Sequence, residues 1–151
     1  MSLAGFGAVF EYSIERELFP GFAMQVTPPA ILALLKLLSY GEKRGERLKD
    51  LEDVLRLTKL YEEGSDRLFS DELFEAGLPD FSLGSAFLLG CDLSAACTGP
   101  ERAQLTGLFE ELLEGGRLRR DLARLSVSDA ARQEKIELLA ALAKGFTERR
   151  K

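Results

Sequence analysis

The sequence contains no histidine and no tryptophan, and only two cysteines, two methionines and five prolines. Without histidine, Ser-His-Asp and Cys-His nucleophilic catalysis as usually built are excluded, and so are imidazole metal sites. Acid–base chemistry must then come from carboxylates, lysines or tyrosines. The two thiols, Cys91 and Cys97, cannot complete a tetrahedral zinc site by themselves. They lie in an apolar helical pattern and read as buried free thiols. No apolar run approaches the roughly 20 residues that span a bilayer. The longest, Ala30 to Leu38, is interrupted by Lys36. The opening Met-Ser-Leu-Ala-Gly lacks the basic region of a signal peptide. The expectation is a cytoplasmic protein with no membrane partner.

What remains is an ordinary globular composition. The chain has 151 residues, 46% of them apolar and 30% charged, which suits one domain spanning residues 1–151. Its net charge is -5 and its pI about 5.0, whereas a nucleic-acid binder usually carries a basic footprint. The basic clusters are local: Lys43 to Lys49, Arg117 to Arg124, and the tail Arg149, Arg150 and Lys151. Such clusters usually solvate a surface. The arginine-rich segment Arg117 to Arg124 is the place where direct nucleic-acid binding would be sought.

The pattern along the chain predicts an α+β fold dominated by helices. Residues 11–27 read as a β-hairpin turning at Pro20-Gly21, with Phe22, Met24 and Val26 on one strand face. A lone two-stranded hairpin is marginal in water. It must therefore pack on a helix or complete a sheet supplied by something else. Pro28-Pro29 opens a helix, and Ile31 to Tyr40, apolar nearly all round, predicts a central buried helix. The hairpin is expected to pack on it. After the charged break Gly41 to Gly45, Arg47 to Glu62 is amphipathic, with Leu48, Leu51, Val54, Leu55 and Leu60 at helical spacing. Gly64 is its stop signal. Ser65 to Phe74 predicts a short helix. Asp80 is placed to cap Phe81 to Ala96. Thr98 and Glu101 form a capping-box pattern for a helix ending near Gly115-Gly116. Arg117 to Leu125 and a final segment from Ser128 complete a multi-helix bundle.

One stretch carries chemistry. Lys36 lies inside an otherwise apolar helix, where an unpaired ammonium is costly. It must snorkel to water or meet an anion. Asp50 and Asp53 stand three apart on a helix and so share a face. Lys49 lies in that helix's first turn, where backbone N–H groups and cations together suit phosphate. The bland alternative is that Lys36 snorkels while Lys49, Asp50 and Asp53 are solvated charges.

This stretch resembles the predicted nucleotidyltransferases related to the AbiEii toxin family. The matching residues are Lys36, Arg44 or Arg47, and Lys49-Asp50-Leu51-Glu52-Asp53-Val54. The similarity extends over most of residues 6–114. It takes in the hairpin, Asp66-Arg67-Leu68-Phe69, the segment Ala86 to Ala96 with Gly90 and Asp92, and Thr98-Gly99-Pro100-Glu101. The resemblance implies a phosphate-binding set of Lys36, Arg44, Arg47 and Lys49. It also implies Asp50 as the candidate catalytic base or positioning carboxylate, with Asp53 orienting a neighbouring cation.

A departure limits what the resemblance implies. Such enzymes carry a Gly-Ser or Gly-Gly turn followed by a strand bearing Asp-x-Asp or Asp-x-Glu, whose carboxylates hold Mg²⁺ around a nucleoside triphosphate. No Asp-x-Asp occurs here. Gly84-Ser85 with Asp92 lacks the second carboxylate. Asp50 and Glu52 diverge on a helix. Glu15 and Glu17 share a strand face but follow no glycine turn. No metal ligand is therefore assigned. The chain would match the C-terminal half of such a fold, as a fragment, a minimal relative without catalysis, or one part of a split enzyme. Mg²⁺ and a nucleoside triphosphate are implied only if the catalytic half is supplied. The partners then expected are a nucleotide or RNA acceptor, and a second copy or a separate catalytic chain. The alternative is a non-catalytic helical interaction module that self-associates or docks through the hairpin edge.

Overall fold

The computed structural model describes residue 9 and residues 11–148. The fold is α+β and mostly helical, with one two-stranded hairpin followed by seven α-helices. Strands β1 (Ile14–Phe19) and β2 (Phe22–Val26) pair antiparallel. The helices are α1 (Pro29–Glu42), α2 (Leu48–Leu60), α3 (Asp71–Glu75) and α4 (Gly84–Ala96), then α5 (Gly99–Leu113), α6 (Arg117–Arg124) and α7 (Asp129–Thr147). The basic tail expected at residues 149–151 lies outside the described residues, as does the opening stretch 1–8.

The local signals that start helices act as expected. Pro29 stands in the first turn of α1. The Asp80 carboxylate accepts from the Ser82 N–H, and the Ser128 hydroxyl accepts from the Ala131 N–H at the start of α7. Thr98 and Glu101 form a capping box on α5, in which the Glu101 carboxylate accepts from the Thr98 N–H at 2.8 Å. Two predicted helices are each divided. Ser65 to Phe74 becomes a 3₁₀ turn over Asp66–Phe69 and then α3. Phe81 to Ala96 becomes a 3₁₀ turn over Phe81–Leu83 and then α4.

The buried stripe of α2 is Leu51, Val54, Leu55 and Thr58. Leu60, expected to belong to it, is exposed at the helix end. Thr58 takes the inward position at i+7 from Leu51 and satisfies its hydroxyl on the Leu55 carbonyl at 2.7 Å.

The most deeply enclosed helix is α4, not α1: its residues from Gly84 to Ser94 are buried save Asp92. Small residues explain this. A Cβ placed on Gly90 would lie 2.1 Å from the Leu142 carbonyl oxygen. One placed on Gly145 would lie 2.0 Å from the Phe87 carbonyl oxygen. The backbones of α4 and α7 therefore touch where both lack side chains, and Leu89, Leu93, Leu139 and Leu142 close the joint on either side. Helix α1 packs beside it through Ala33, Leu34 and Leu37. Cys91 is buried and Cys97 half-buried, both as free thiols. Cys97 ends α4 instead of lying within it. Burial pushes both thiols up to about 11, so neither is a nucleophile near neutral pH.

The hairpin is built otherwise. Every residue of β1 is exposed, as are all those of β2 except Val26. The expected packing of this hairpin on α1 is not found, because Ile14, Phe22 and Met24 keep 40% or more of their surface in solvent. A bulge between Glu17 and Phe19 shifts the register, so that Phe19 faces Phe22 and their rings stack at 4.9 Å. The apolar strand face exists as the alternation predicts, but no described helix covers it.

Candidate functional site

Helices α1 and α2 bring the Lys-Asp-x-x-Asp residues together. Lys36, in the middle of α1, extends its Nζ to Asp50 Oδ1 at 2.8 Å and Asp53 Oδ2 at 2.7 Å. The one-turn spacing of the two aspartates on α2 lets a single ammonium bridge them. Lys36 thus meets anions, and the reading in which it simply snorkels is set aside. The two hydrogen bonds raise the Lys36 pKa further above its ordinary value. The same ammonium holds the Asp53 carboxyl below the usual carboxylate range. Lys36 and Asp53 are therefore both charged across the neutral range.

The second oxygen of Asp50 differs. Asp50 Oδ2 is buried and accepts no hydrogen bond. Its nearest ion-pair partner is the Arg47 guanidinium at 3.6 Å, beyond hydrogen-bond reach. A buried carboxylate oxygen with spare acceptor capacity can take a hydrogen bond from a ligand hydroxyl. Arg47 and Lys49 are exposed beside it. The first turn of α2 has no side-chain cap, and of its leading N–H groups that of Asp50 is bonded to the Arg47 carbonyl at 3.0 Å.

Arg44 is not part of this group. Its guanidinium binds the Glu111 carboxylate on α5 and lies 5.9 Å from the centroid of the Tyr40 ring. Tyr40 in turn donates to Asp121 on α6 at 2.8 Å. These contacts fasten the end of α1 to α5 and α6 and leave Arg44 with its charge matched. Of the expected phosphate set, Lys49 is exposed and Arg47 is exposed with only the 3.6 Å ion pair to Asp50, whereas Lys36 and Arg44 are hydrogen-bonded to carboxylates. A cleft of about 340 Å³ between α1 and α5 reaches Glu42 and Arg44 but none of the other candidates.

A second charged network was not assigned from the sequence. Arg67 binds both oxygens of Asp92, with Nη2 at 2.7 Å from Oδ1. Tyr61 donates to the same carboxylate at 2.5 Å, and Glu62 meets Arg67 at 3.3 Å. Burial pushes the Asp92 carboxyl up, but the hydrogen bonds from Arg67 and Tyr61 outweigh it and hold it below the ordinary 3.8. The signal was present: Arg67 is the one basic residue from Leu60 to Glu101, and Asp92 is a lone charge inside an apolar helix. Each needed a partner. Satisfied on every side, the network reads as a clasp between the end of α2 and α4.

Among the described residues, no three His, Cys, Asp or Glu side chains are placed to hold a metal ion. No described helix is long and apolar enough to cross a membrane. The arginines of α6 point outward while Leu118, Asp121 and Leu122 are buried. Comparison with protein-family models, with curated proteins and with solved structures finds no match to this chain.

Proposed function

We propose that this chain is the helical, substrate-contacting part of a nucleotidyltransferase-like enzyme, whose metal-binding carboxylates are supplied by another segment. The observation that carries the reading is the convergence of Lys36, Asp50 and Asp53 across two helices. These are the residues through which the sequence resembles the AbiEii-related nucleotidyltransferases. In this reading Lys36 is a positioning residue that fixes both carboxylates. The buried Oδ2 of Asp50, which has no donor within the fold, accepts the proton or the hydrogen bond of an acceptor hydroxyl when the substrate displaces its cover. Arg47 and Lys49, with the first turn of α2, meet phosphate charge. Phosphoryl transfer then needs Mg²⁺ and a nucleoside triphosphate held by the completing segment.

The test is a calorimetric titration of the chain with ATP, GTP, CTP and UTP in Mg²⁺, repeated on Lys49→Ala and on Asp50→Asn. Saturable binding weakened by Lys49→Ala supports the reading. Asp50→Asn keeps the side-chain shape, and circular dichroism checks that it folds. If none of the four nucleotides binds, the phosphate site does not exist in this chain.

A second reading, a non-catalytic interaction module that self-associates or docks through the hairpin, is favoured by the uncovered strand face. The β1 edge carries Glu15, Arg16 and Glu17, whereas β2 reads Phe-Ala-Met-Gln-Val without a charge. Charges blunt an edge against strand addition, so β2 is the edge open to a partner strand. Light scattering that shows a strict monomer at high concentration counts against self-association there.

A further inference from the structure

The segment between α2 and α4 combines two features that rarely occur together on a passive surface. From Leu60 to Glu101 the sequence has nine acidic residues and one basic residue, Arg67. The Arg67 charge is engaged by Asp92 and Glu62. Glu63, Asp66, Asp71, Glu75 and Asp80 are exposed. Among them stand three exposed phenylalanines: Phe69 at 68%, Phe74 at 68% and Phe81 at 52% of their full surface. The Phe69 and Phe81 rings lie 5.7 Å apart.

This segment had the means to turn aromatics inward. Leu73 and Ala76 are buried against Phe87 and Leu88, with Leu68 and Leu78 packed on them. The phenylalanines are therefore not left outside for want of a core. Rings left more than half in water gain little for folding, and grouped exposed apolar side chains mark interaction surfaces. The acidic surround selects the partner. It repels a copy of itself and any phosphate-bearing surface, and it attracts cations over about one Debye length, roughly 10 Å at 0.1 M salt.

We infer that the face formed by the paired rings of Phe69 and Phe81, with its acidic surround, docks a cationic amphipathic segment of another protein. Such a segment would place aliphatic side chains on the rings and lysines or arginines on the carboxylates. A guanidinium would also stack on an aromatic face. The inference is independent of the nucleotidyltransferase reading, because it uses none of the residues of the α1–α2 cluster.

The test uses the whole chain and two synthetic helical peptides of identical leucine register, one completed with lysine and one with glutamate. Binding is followed by calorimetry. The lysine peptide is expected to bind saturably and to weaken several-fold on raising salt from roughly 0.05 to 0.5 M. The double variant Phe69→Ser, Phe81→Ser is expected to weaken it about ten-fold. Both rings are exposed, so this variant keeps the fold, and an unchanged melting curve checks that. Phe19→Ser on the hairpin is the control and is expected to leave binding unchanged. Three results overturn the inference: no saturable binding of the lysine peptide, equal binding of the glutamate peptide, or equal loss in Phe19→Ser. Self-association of the chain abolished by the double variant would also overturn it. The occupant would then be a second copy, offering the exposed arginines of α6.

Discussion

Helices α4 and α7 and the hairpin β1–β2 both contain glycine and apolar residues, yet they put them to opposite use. At the α4–α7 crossing, Gly90 and Gly145 bring backbone to backbone, and the flanking leucines are fully enclosed. In the hairpin, Gly21 adopts a φ of +82° in the turn, and the apolar strand face that follows stays in water. Folding stability therefore resides in the bundle, while the hairpin is free to change partners at little cost to it. The difference separates residues that hold the molecule together from residues available for interaction.

The comparison breaks most severely at Gly90. A methyl group there meets the Leu142 carbonyl and the Phe146 amide, neither of which can rotate away. Gly90→Ala is expected to cost about 3 kcal/mol or more. Gly41, in the last turn of α1, has open space around its would-be Cβ. Gly41→Ala is expected to be neutral or to stabilise by about 0.5 kcal/mol. Thermal melts of the pair give the contrast directly. A Gly90→Ala protein that melts like the parent would mean that α4 and α7 are not in backbone contact.

A smaller effect is expected at the clasp. Asp92→Asn leaves Arg67 with only the longer Glu62 contact at 3.3 Å and is expected to cost about 2 kcal/mol, because the group is only partly buried. The pH dependence has a definite sign. The Asp92 carboxyl is held below 3.8 in the folded protein, and so is that of Asp53. Their contribution is complete above that value. It is lost as pH falls through their depressed folded values. Urea denaturation of the parent at pH 7 and roughly pH 3 should show this loss, and Asp92→Asn should reduce it. Equal acid sensitivity in the two proteins would remove Asp92 from the account.

These regions were unequally legible. Helix starts at Pro29, Thr98 and Ser128 follow from side-chain chemistry confined to a few residues, so the sequence displays them. The meeting of Lys36 with Asp50 and Asp53 was foreshadowed by the cost of a lone ammonium among leucines and by the spacing of the aspartates. Arg44 was misplaced because its partners, Glu111 and Tyr40, depend on how α5 approaches α1, which no local pattern encodes. The closeness of α4 and α7 was equally hidden. Gly90 and Gly145 lie far apart in sequence, and only packing makes them neighbours. The hairpin's strands could be read from alternation, but alternation says which face is apolar and not whether anything covers it.

The smallest effect belongs to the hairpin. Replacing Phe19 and Phe22 with serine removes a stacked pair worth about 1 kcal/mol to the hairpin itself. Because neither ring is enclosed by a helix, global stability should change by no more than about 0.5 kcal/mol. Hydrogen exchange separates the two scales. Amides of β1 and β2 should exchange faster in the variant, whereas those of α4 and α7 should keep the protection of the parent. If protection in α4 falls together with that in β2, the hairpin is coupled to the bundle, and the division of labour drawn from its exposure is wrong. If only the hairpin responds, its apolar face contributes to something other than folding. Loss of any self-association in the same variant would then identify that contribution as contact with a second chain.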